Sequence, residues 1–173
     1  MPQTLQRIPE CFFLRDVLEV APELLGNYLV QPEGHRLRSY RITEVEAYRG
    51  ETDRACHANK GRTRRTEIMY HSGGHLYVYL IYGMYWMLNI VAGPEDIPQA
   101  ILIRGVEGFN GPGKLTREIG IDGSYYGEHL CISERIWLAG FGIAPEYRTA
   151  PRVGIDYSGE PWVSKPWRYI LVK

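Results

Sequence analysis

Three apolar runs rich in aromatics lie almost end to end in the middle of the chain: Leu76 to Tyr82, Trp86 to Val91 and Gln99 to Val106. Each has the length and β-branched or aromatic content of a strand, and the breaks between them, Gly83 and Ala92-Gly93-Pro94, are turn chemistry. Gaps this short admit hairpins but no crossover helix, which takes a dozen or more residues, so an antiparallel sheet is implied. Tyr28 to Val30, followed by the turn Pro32-Glu33-Gly34, and the longer run Leu37 to Tyr48 read as further strands. Val17, Val20, Ala21, Leu24 and Leu25 recur at helical spacing before Gly26, but Pro22 cannot donate to a helical ladder. A short helix beginning close to Pro22 is therefore expected. Lys114 to Ile119, between Gly113 and Gly120, predicts a second helix, and Thr66 to Tyr70 a brief helical piece. Trp162-Val163 and Arg168 to Val172 are further strand candidates. The expected fold is α+β: one domain over residues 1–173, a curved, mostly antiparallel, partly open and barrel-like sheet with short helices packed at its edges.

Composition narrows the function. The 45% hydrophobic and 23% charged content of 173 residues excludes a disordered chain. Twenty basic residues balance twenty acidic ones for a net charge of +0, so any nucleic-acid site must come from local segregation of charge. Cys11, Cys56 and Cys131 are odd in number and far apart, which argues against a disulfide scaffold or a zinc knuckle. The N-terminus lacks the apolar core of a signal peptide, and the run Tyr77 to Val91 is too short and interrupted to span a bilayer. An intracellular protein of the cytoplasm or nucleoid, with no membrane partner, is expected.

Strand alternation sets Ile42, Glu44, Glu46 and Tyr48 on one face and Thr43, Val45 and Ala47 on the other. Two carboxylates on one face of an apolar strand are costly to bury unless used or paired, and crowding suits one of them to acid–base work. The alternative is a solvated face, or pairing with Arg36, Arg38 and Arg41. From Arg54 to Arg65 the chain carries five basic residues and no acidic one, and Tyr70, Tyr77, Tyr79, Tyr82, Tyr85 and Trp86 follow. Such a pairing suits backbone neutralisation and base stacking, although half of any strand's aromatics face a core. His57 has no second histidine at ligand spacing, so no metal is expected. Gly108 to Lys114 nearly matches a phosphate-binding loop, but Leu115 stands where a hydroxyl is needed and Pro112 lacks a donor. It either holds one backbone phosphate with Lys114 or is a plain glycine turn.

Taken in order, Glu44-Val-Glu-Ala-Tyr48, His57, Tyr77-Val-Tyr-Leu-Ile-Tyr-Gly-Met-Tyr85 with Asn89, Ile101-Leu-Ile-Arg104 and Asn110-Gly-Pro-Gly-Lys-Leu115 resemble the alkyladenine (methylpurine) type of 3-methyladenine DNA glycosylase. The resemblance runs from near Phe12 through Pro151-Arg-Val-Gly-Ile155 to Lys165-Pro-Trp-Arg-Tyr169. It implies excision of alkylated or deaminated purines (3-methyladenine, 7-methylguanine, hypoxanthine) from duplex DNA by a monomer without a cofactor or metal, leaving an abasic site. Glu46 would deprotonate the attacking water, with Arg104 near the catalytic end or the DNA backbone and Glu44 structural or in support of Glu46. Tyr48, His57 and Tyr79 would enclose the flipped base, where a cationic alkylated purine gains about 0.5–2 kcal/mol from the rings. Asn89 would face its minor-groove edge, Tyr82 would be the wedge, and Met84 and Tyr85 would flank the gap. Arg64, Arg65, Lys114 and Arg152 are the expected phosphate contacts. The family's usual Thr-Pro-Arg is replaced by Thr63-Arg64-Arg65. The rivals are a non-catalytic nucleic-acid module, a nucleotide-phosphate enzyme on Gly108 to Lys114, and a carbohydrate hydrolase on the two glutamates, which sit too close on one strand to flank a sugar.

Overall fold

The computed structural model describes residues 5–140 and 145–172. Its strands are β1 (Gln6–Arg7), β2 (Tyr28–Glu33), β3 (Arg36–Tyr48), β4 (Leu76–Ile81), β5 (Tyr85–Ala92), β6 (Gln99–Val106), β7 (Phe109–Asn110), β8 (Trp137–Gly140), β9 (Tyr147–Ala150) and β10 (Arg168–Leu171). The helices are α1 (Glu10–Phe13), α2 (Val17–Leu24) and α3 (Pro112–Ile119). All strands join one sheet, with the main path β1-β8-β2-β3-β6-β5-β4. Every pairing of named strands is antiparallel. No pairing joins β4 to β1 among the described residues, so the sheet stays open. β3 is the hub: its first half pairs β2, its second half pairs β10 on that edge, and β6 lines its other edge.

The alternation expected along β3 fails at one point. Ile42 opposes Val106, Glu44 opposes Gly105 and Val45 opposes Ile103, so the register slips twice within four residues. Ile42 is thereby turned into the core with Val45 and Ala47 instead of sharing the face of Glu44. A bulge is the physical reason: an unpaired residue reverses the inward set on one side of it. The same irregularity leaves Arg104 of β6 without a register partner on β3, beside the two glutamates.

Helices α2 and α3 cover one face of the sheet. Val17, Val20, Ala21 and Leu24 of α2 and Leu115 and Ile119 of α3 meet Leu88, Ile90, Ile101 and Ile103 in a single apolar core. Contrary to expectation, α2 does not begin near Pro22. Asp16 caps it by accepting from the Leu18 N–H at 2.9 Å, and Pro22 is carried in the last turn, just before the helix ends. α3 starts with Pro112 at its first turn and ends on left-handed Gly120, two residues earlier at the start than expected. Trp162-Val163 is no strand: both N–H groups bond the Gly159 carbonyl in a turn. The other face of the sheet is covered by the connection from Arg49 to His75, which seals a second, smaller apolar cluster including Cys56, Met69, Tyr77 and Val91. Among the described residues no helix is long and apolar enough to cross a membrane.

Candidate active site

The face beneath that connection gathers most of the residues singled out in the sequence. Register aligns Glu46 of β3 with Leu102 of β6, Leu102 with Asn89 of β5, and Asn89 with Tyr77 of β4. Two residues along the strands, Tyr48 opposes Ala100 and Tyr79 opposes Met87. A period of two on four adjacent strands thus brings Glu46, Tyr48, Asn89, Tyr77 and Tyr79 to one side.

Glu46 is 0% exposed. Its Oε2 accepts from the Tyr48 hydroxyl at 2.8 Å and its Oε1 from the backbone N–H of Val153 at 2.7 Å. Arg104 Nη1 stands 3.6 Å from Oε1, while Arg104 Nε donates to Glu44 at 3.1 Å. Burial pushes the Glu46 carboxyl above its ordinary range, opposed first by Arg104 and then by the Val153 and Tyr48 donors. Burial, reinforced by Glu46, holds the Tyr48 phenol well above its usual value, so its hydroxyl keeps the proton it donates. Glu44 pairs with Arg104 and with Arg168 at 3.4 Å, not with Arg36, Arg38 or Arg41. The two glutamates therefore differ: Glu44 is paired with two arginines, and Glu46 is fully buried with a donor on each oxygen.

The ring wall stands alongside. His57 opens a short 3-10 turn over the sheet; its Nδ1 lies 2.8 Å from the Tyr77 hydroxyl, and its ring is edge-on to Tyr79 at 4.7 Å between centroids. Burial, with the neighbouring charges of Arg65 and Lys60, lowers His57 to about 4, so the imidazole is neutral at pH 7. Burial also raises the Tyr79 hydroxyl to about 12. The guanidinium of Arg65 lies 4.8 Å from the centre of the Tyr79 ring, which puts a cation at the rim. Asn89 is buried and donates to the Tyr77 and Met87 carbonyls at 3.2 and 3.4 Å.

Tyr82 and Gly83 form the β4–β5 turn, both with positive φ (53° and 66°), closed by the Met84 N–H on the Ile81 carbonyl at 3.1 Å. Tyr82 is 84% exposed there, and Met84 and Tyr85 are exposed beside it. Gly113 in the first turn of α3 lies so close to the Tyr85 ring that an added Cβ would come within 2.8 Å of it. Lys114 is thereby an exposed cation beside the hairpin base. The near-match to a phosphate loop does not form a cradle, since the Gly111 N–H is spent on the Arg104 carbonyl and Pro112 has none.

Arg64 and Arg65 are exposed, as phosphate contacts require, whereas Arg152 is not. Its side chain is fully buried in a two-pronged ion pair with Asp53, so it is not placed to meet a phosphate. Burial of a cation is invisible in sequence until its partner is known. Sequence reasoning also passed over Tyr77 as the partner of His57, the Val153 N–H, and Tyr157, whose hydroxyl donates to the Ala55 carbonyl at 3.1 Å. No cluster of three or more metal-ligating side chains occurs among the described residues.

A family model described as methylpurine-DNA glycosylase (MPG) matches residues 11–109 and 107–173. The chain is 40% identical to a protein of Psychrobacter cryohalolentis, over 92% of this chain and 89% of that one. It is 41% identical to one of Anaeromyxobacter dehalogenans (95% and 83% covered) and 38% identical to one of Legionella pneumophila strain Corby (96% and 95%). All three are provisionally named 3-methyladenine DNA glycosylase.

Proposed function

The chain belongs to the methylpurine-DNA glycosylase family, and from that premise we propose that it extrudes an alkylated or deaminated purine, 3-methyladenine foremost, from duplex DNA and hydrolyses its bond to deoxyribose. Glu46 takes a proton from water as the water oxygen bonds to C1′, and the base departs with the electron pair of the breaking C1′–N bond. A purine already cationic from alkylation leaves as a neutral base, and an abasic site remains. The observation that carries this reading is a fully enclosed carboxylate, both oxygens held by donors, on the same sheet face as a wall of rings. Enclosure raises basicity where the proton must be taken, and Arg104 keeps the carboxylate ionised enough to act. Tyr48, His57 and Tyr79 would stack the extruded base with Asn89 at its edge, and exposed Tyr82 would fill the vacated stack. The substrate's own positive charge, where present, adds to the selectivity. The test is Glu46→Gln: base release in a single turnover falls by about 10³-fold while binding to damaged duplex persists. Equal release by variant and parent would refute the reading.

A further inference from the structure

Asp53 and Arg152 form a salt bridge with both side chains fully buried, its two bonds 2.6 and 2.9 Å long. Arg152 Nη1 also donates to the Ala47 carbonyl at 2.9 Å, and the guanidinium lies 4.8 Å from the Tyr48 ring centre and 5.0 Å from that of Trp167. Asp53 accepts in addition from the Arg49 and Ala55 N–H groups, both at 3.0 Å. The pair thus fastens three segments at one point. These are the strand end bearing Glu46 and Tyr48, the connection leading to His57, and the loop whose next residue, Val153, donates to Glu46. Burying two charges is expensive and often no more stabilising than apolar packing, so stability alone is a poor account of it.

We propose that Asp53 and Arg152 are positioning residues for Glu46. Arg152 fixes the peptide between Glu46 and Tyr48 through the Ala47 carbonyl, and it anchors the adjoining Val153 N–H that holds Glu46 Oε1. It also lies over the ring whose hydroxyl holds Oε2. Released from this clamp, the carboxylate can turn away from C1′, and an error of about 1 Å at a reacting group costs on the order of 100-fold. The inference rests on the reading of Glu46 as the base.

The experiment compares Arg152→Lys, Asp53→Asn and Glu46→Gln with the parent, using a duplex carrying one hypoxanthine at saturating enzyme across pH. Affinity for a duplex with a tetrahydrofuran abasic analogue is measured over a salt series. Arg152→Lys keeps the charge but not the fork. We expect release slower by about 10- to 100-fold in both pair variants, with affinity and salt slope unchanged. In Arg152→Lys the acid limb of the profile should also move to higher pH, because Glu46 loses a donor. A structural role alone would lower Tm without moving that limb, and would overturn the proposal. So would parent-like rates, or weaker affinity with a salt slope reduced by about one, which is the signature of a phosphate contact. If Arg152→Lys does not fold, the Asp53→Asn rate decides. An inert Glu46→Gln beside parent-like pair variants removes the clamp alone, whereas an active Glu46→Gln removes the reading beneath it.

Discussion

The strand end carrying Glu46 and the hairpin tip carrying Tyr82 are held by opposite means. Glu46 is held by donors 2 and 107 positions away and by an ion pair 58 positions away, so long-range folding must be complete before the carboxylate is set. Tyr82 is fixed by its own turn, 84% exposed, with φ of 53°. A bulky residue in the left-handed region costs on the order of 1–3 kcal/mol, which the turn tolerates because Gly83 takes the next strained position. The difference teaches where each kind of residue belongs. On the proposed reading, the base gains its basicity from enclosure, and the wedge keeps the exposure it needs even at the expense of strain.

Breaking the exposed end should separate stability from activity. Tyr82→Gly relieves the strain and should raise unfolding free energy by about 1 kcal/mol, while lesion release and binding fall by roughly 10- to 100-fold for lack of a wedge. A parallel loss of stability in chemical unfolding would contradict the contrast. Smaller effects are expected at the rim. Lys114→Ala and Arg64→Ala should each weaken duplex binding a few-fold, irrespective of lesion, and reduce the salt slope by about one. A lesion-dependent loss in binding assays would place these side chains in the pocket instead.

The buried side has its own, subtler signature. His57 is neutral in the folded protein down to about pH 4, whereas the unfolded chain protonates it near 6.5. The unfolded state therefore binds more protons between those values, and His57 draws stability away as pH falls through that window. His57→Asn should lessen the loss between pH 6.5 and 4 in urea unfolding. An unchanged pH dependence would mean that the imidazole is not enclosed as described.

The same contrast marks what could be read from sequence. β6 spans the residues that strand-forming content and turn chemistry assign to it, and Gly83 marks the next turn, although Tyr82, expected to end its strand, lies in that turn. Local signals suffice for local structure. Tyr48, Tyr79 and Asn89 share the face of Glu46 because alternation survives along those strands. It did not survive at Ile42, where a bulge depends on packing against β6 and leaves no mark in composition. The short strands β1, β8 and β9 draw their stability from partners far along the chain and escape a periodicity of so few residues. Arg152 lies buried where the sequence suggests exposure, for a related reason. An arginine looks solvated until a distant aspartate is brought against it.

The enclosed carboxylate is tested most directly by the pH dependence of single-turnover base release, measured for the parent and for Glu46→Gln on the same lesion duplex. On the proposed reading Glu46 acts in its ionised form, and burial raises its pKa, so release should fall as pH drops through a value above that of an ordinary glutamate. In Glu46→Gln that limb should vanish along with most of the rate. A parent profile that stays flat to the ordinary carboxylate range, or a limb that persists unchanged in the variant, would contradict the account.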